Sequence, residues 1–140
     1  RGLLYPSWLI EGVATYYGQL GLGGYPNQKE VMELIGQGYF VDPNSYRAYF
    51  WRKKESRLTW PKEAPHKFAY AQFATVIQAM INLKGEDSFQ DFLDKSLTQY
   101  DVEELFESTY GLTFLEFLSQ FKKGQLSTKD DTAAININQD

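Results

Sequence analysis

In the stretch PSWLIEGVATYYG, residues 6–18, one side chain is placed to do chemistry. Glu11 is the sole charged residue between Arg1 and Lys29. On a helix its neighbours are Ser7 and Trp8 on one side and Ala14 and Thr15 on the other, so no basic group lies within helical reach. Such a carboxylate sits at the wet edge of an amphipathic helix, or is protonated, or binds a cation brought by another part of the structure. An unpaired buried charge would cost roughly several kcal/mol. Gly12 bears on the choice, because glycine inside a helix costs about 1 kcal/mol relative to alanine and is explained by close approach of another backbone. The residues alone leave all three options open.

Other chemistry-bearing patterns are weaker. The segment YRAYFWRKKESR, residues 46–57, interleaves aromatics with five basic residues against one acid, which suits a wall of a peptide cleft or a polyanion contact. It equally suits a helix with Tyr46, Tyr49 and Phe50 inward and Arg47, Arg52, Lys53 and Lys54 in solvent. Residues 86–107 run the other way, with eight acids against Lys95 alone, as the solvated faces of helices would. GLGG at residues 21–24 lacks the preceding strand and the lysine of a phosphate loop, and nothing marks a nucleophile elbow.

Composition narrows the function classes. With 140 residues, 43% of them apolar and 16% aromatic, the chain can build a core of one ordinary domain. A net charge of -4 argues against a general nucleic-acid binder and against affinity for anionic membranes. Without cysteine there is no disulfide scaffold and no thiolate zinc site, and the cellular compartment stays open. No apolar run reaches the roughly 18 residues of a membrane span.

The elements that must position Glu11 read as helices almost throughout. Pro6 and Ser7 open a first helix running to about Gly18 or Leu20. QKEVMELIGQG gives a short second one, ending at Gly36 and Gly38. Asp42 as N-cap with Pro43 at the first position starts a third over SYRAYFWRKKE. Residues 66–84 then carry apolar side chains on every face and no charge from Phe68 to Leu83, the pattern of a central helix surrounded by others. After Gly85, Phe89, Phe92, Leu93 and Leu97 form one stripe. Val102, Leu105, Phe106 and Tyr110 form another, closed by Gly111 at C′. Thr113 and Glu116 make a capping box before Phe114, Phe117, Leu118 and Phe121. The expectation is an all-α fold of about six or seven helices over residues 1–124, with 125–140 as a flexible tail or linker.

WLIEGVATYYG also resembles the W-L-x-E-G-x-A-x-Y segment of the gluzincin, or peptidase-MA-like, zinc metallopeptidases, with Trp8, Leu9, Glu11, Gly12, Ala14 and Tyr16 matching. The segments FAYAQFATVIQAMINLKGEDSFQDFLDKSL and DVEELFESTYGLTFLEFLSQFKK are similar to the end of such domains, whereas residues 24–62 match nothing in them. The resemblance implies that Glu11 is the third zinc ligand and that Tyr70 donates to the oxyanion of the tetrahedral intermediate, with a core tyrosine as the alternative. His66, beside Pro65 and Lys67, is a weaker candidate for the same donation, a solvated histidine being the other reading. The His-Glu-x-x-His motif that supplies two imidazoles and the general base is missing, since the chain holds one histidine. In the family it lies just upstream, so the expectation is a peptidase domain divided between its second and third ligands, with zinc held in the longer parent and not tightly by these residues. The implied partners are a peptide or protein substrate and the missing N-terminal part of the domain. An isolated chain of this kind is expected to self-associate through the face that Trp8 and Leu9 would otherwise bury. The alternative is a non-catalytic helical interaction module in which Glu11 is a relic.

Overall fold

A computed structural model describes residues 6–18, 24–46, 65–99 and 101–126. Among these residues the structure is helical, with six α-helices, one 3-10 turn and no strand. The helices are α1 (Ser7–Gly18), α2 (Gln28–Gly36), α3 (Pro65–Lys84), α4 (Glu86–Ser96), α5 (Val102–Tyr110) and α6 (Phe114–Lys122). The described residues fall into two compact units, those up to residue 77 and those from residue 78, so α3 contributes its first part to one unit and its last part to the other.

In the first unit, the expected close approach at Gly12 is present. A Cβ on Gly12 would lie 2.9 Å from the carbonyl oxygen of Phe73 and 3.1 Å from Cγ1 of Ile77, so α1 and α3 meet backbone to backbone where only glycine fits. Trp8, Leu9 and Thr15 of α1 are buried, together with Val31 and Ile35 of α2 and Phe68, Phe73 and Ile77 of α3. Asn27 and Glu30 exchange hydrogen bonds of 2.8 Å each in a capping box that starts α2.

The loop after α2 is tied to α3 by Gln72. Its carboxamide accepts from the Val41 N–H at 2.9 Å and donates to the Val41 carbonyl at 2.7 Å, standing in for the partner residue of a strand. Both ends of the pairing are buried, which explains how a fully buried glutamine is tolerated in an apolar helix. Asp42 accepts from the Asn44 N–H at 3.0 Å, and Pro43 begins the turn as expected. The turn is a 3-10 helix of only three residues, Pro43–Ser45, because Tyr46 is extended (φ −72°, ψ 130°) and places its ring edge-on against Phe73 at 4.9 Å. An α-helix running on from Asp42 is therefore corrected at its start; residues 47–57 lie outside the described residues.

The second unit is built on aromatic packing. Phe106 is the hub, with its ring centroid 4.7 Å from Tyr110, 5.1 Å from both Phe114 and Phe117, and 6.0 Å from Phe92. Gly85 (φ +98°) turns α3 into α4. Gly111 (φ +85°) closes α5 in the left-handed conformation that the sequence requires of it. The Thr113–Glu116 capping box then opens α6, with bonds of 3.0 and 2.9 Å. Lys84 donates to the carbonyl of Thr109 at 2.7 Å, satisfying an oxygen near the end of α5. The expected stripe on α4 stops short: Phe89 and Phe92 are buried, but the helix ends at Ser96 and Leu97 is 64% exposed.

Candidate functional site

The Gly12 crossing determines what stands around Glu11. Glu11 precedes the contact on α1, and Tyr70 lies one turn before Phe73 on α3, so both flank the point where the two backbones touch. Both side chains are half-buried, within reach of solvent but walled on one side. Among the described residues no hydrogen bond or ion pair engages the Glu11 carboxylate. Tyr70 does have partners of its own.

A third residue joins them. Tyr25, on the short connection before α2, is half-buried. The pKa of its phenol is raised above the ordinary value, first by burial, then by the neighbouring Tyr70 and the Glu11 carboxylate, which disfavour a negative charge on it. Glu11 and Tyr70 thus share Tyr25 as a neighbour. Tyr25 is in turn covered by Lys67, whose ammonium sits 5.5 Å from the ring centroid. Gly24 (φ +84°) makes room for it, since a Cβ there would lie 2.9 Å from Nζ of Lys67. Lys67 and Tyr70 are i and i+3 on α3 and so occupy the same side of the helix.

Of the three residues singled out from sequence, Glu11 and Tyr70 come together in this way. His66 is the second residue of α3, and its imidazole lies outside the described side chains. Tyr25 and Lys67 were missed because they carry no recognised spacing. The available signals were a glycine immediately before an aromatic and a lysine one turn ahead of Tyr70.

The arrangement offers one carboxylate, two phenols and an ammonium. Among the described residues no three His, Cys, Asp or Glu side chains converge in a way that could hold a metal. Glu11 suits the role of a single ligand, being a half-buried carboxylate with no hydrogen bond or ion pair among the described residues, but one carboxylate does not make a zinc site. The expected exposed face at Trp8 and Leu9 is corrected: they are 3% and 1% exposed, because α1 buries them within this chain. Among the described residues no helix is long and apolar enough to cross a membrane. Comparison with known proteins adds no relative, as no protein-family model, no curated protein and no solved structure matches the chain.

Proposed function

We propose that these residues are the distal part of a zinc-dependent peptidase site, in which Glu11 is one metal ligand and Tyr70 a neutral donor to the substrate. The observation that carries the reading is the half-buried Glu11 carboxylate, unengaged among the described residues, next in sequence to the Gly12 crossing and sharing Tyr25 as a neighbour with Tyr70. A carboxylate so placed has a use if a cation completes its surroundings, and the resemblance of WLIEGVATYYG to the gluzincin third-ligand segment names the cation. When bound, zinc supplies Lewis acidity that lowers the pKa of water and polarises a peptide carbonyl. The residues of this chain then divide the remaining work. Glu11 contributes negative charge and one oxygen ligand. Tyr70 must stay protonated to donate a hydrogen bond to the oxygen of the scissile carbonyl as charge develops there. The α1–α3 contact fixes the spacing of the two, and a displacement of about 1 Å in such a pair can cost on the order of a hundredfold in rate.

Two imidazoles and the base that takes the proton from water must come from outside the 140 residues, so these residues alone are expected to hold zinc weakly and to hydrolyse nothing. Reading the coding sequence upstream of Arg1 is the first test. A His-Glu-x-x-His there, with zinc bound by the extended chain and lost on Glu11→Gln, supports the reading. Its absence makes Glu11 a structural residue and the chain an interaction module.

A further inference from the structure

We draw no further inference here: the strongest candidate, the uncharged outer face of α1 on which Ile10, Ala14 and Tyr17 are exposed, is an apolar helix face, and nothing in the structure shows what covers it.

Discussion

Gly12→Ala is the substitution whose sign tests the geometry of the site. In a solvent-exposed helix it would stabilise by about 1 kcal/mol, since alanine loses less backbone entropy on folding. Here the new methyl meets the Phe73 carbonyl oxygen at 2.9 Å and the Phe73 carbonyl carbon at 3.1 Å, where ordinary contact begins near 3.4 Å. Ile77 can swing its Cγ1 away, but the Phe73 backbone is held in the α3 hydrogen-bond ladder and cannot. Helix α1 must therefore retreat by about half an ångström, at the 1–3 kcal/mol typical, roughly, of overpacking. The net expectation is destabilisation of up to about 2 kcal/mol. For a chain of this size that lowers Tm by about 3–8 °C. Gly18→Ala is the control: it ends the same helix with nothing within 4 Å of the added Cβ, and should be neutral or stabilising by up to about 1 kcal/mol. Urea and thermal unfolding followed by circular dichroism give both values. An increase in stability for Gly12→Ala would refute the close approach and, with it, the placement of Glu11 beside Tyr70.

Three other perturbations have clear expected outcomes. Gln72→Leu keeps the volume but leaves the buried Val41 N–H and carbonyl unpaired, so urea unfolding should show a loss of about 2–4 kcal/mol. Thr113→Ala removes the acceptor for the Glu116 N–H and should cost about 1 kcal/mol by the same assay. Tyr110 buries a hydroxyl with no partner among the described residues, so Tyr110→Phe should be neutral or slightly stabilising near neutral pH. Burial raises the Tyr110 phenol well above its ordinary value near 10. Above that pH the unfolded chain releases a proton that the folded chain retains, so stability falls as pH rises from about 10 toward the folded value. Tyr110→Phe should make that alkaline decline shallower, and an unchanged slope would show that the hydroxyl is not buried.

Much of this architecture is legible in the sequence because local signals and packing agree. Ser7 to Gly18, the Thr113–Glu116 box and Gly111 each follow from capping or backbone rules that need no partner. Gly12 was readable as a close approach, though not what approaches. The Asp42–Pro43 start was legible, but its continuation was not: Tyr46 leaves the helical conformation to pack on Phe73, a contact with a residue 27 positions away that no window of sequence contains. Leu97 failed for the simpler reason that periodicity does not mark where a helix stops. At the site, Glu11 stood out by its isolation and Tyr70 through a resemblance. Tyr25 and Lys67 did not stand out, because a cation over a ring is a meeting of two elements distant in sequence. Gln72 reads as a polar lapse in an apolar helix until Val41 is seen against it.

The claim that Glu11 is a metal ligand is tested most directly by the zinc content of the chain extended upstream through its coding sequence, measured with and without Glu11→Gln after dialysis against free zinc. About one zinc per chain is expected, held by the extended protein and largely lost in the variant. An extended chain that binds no zinc, or one whose zinc is indifferent to Glu11→Gln, would contradict it.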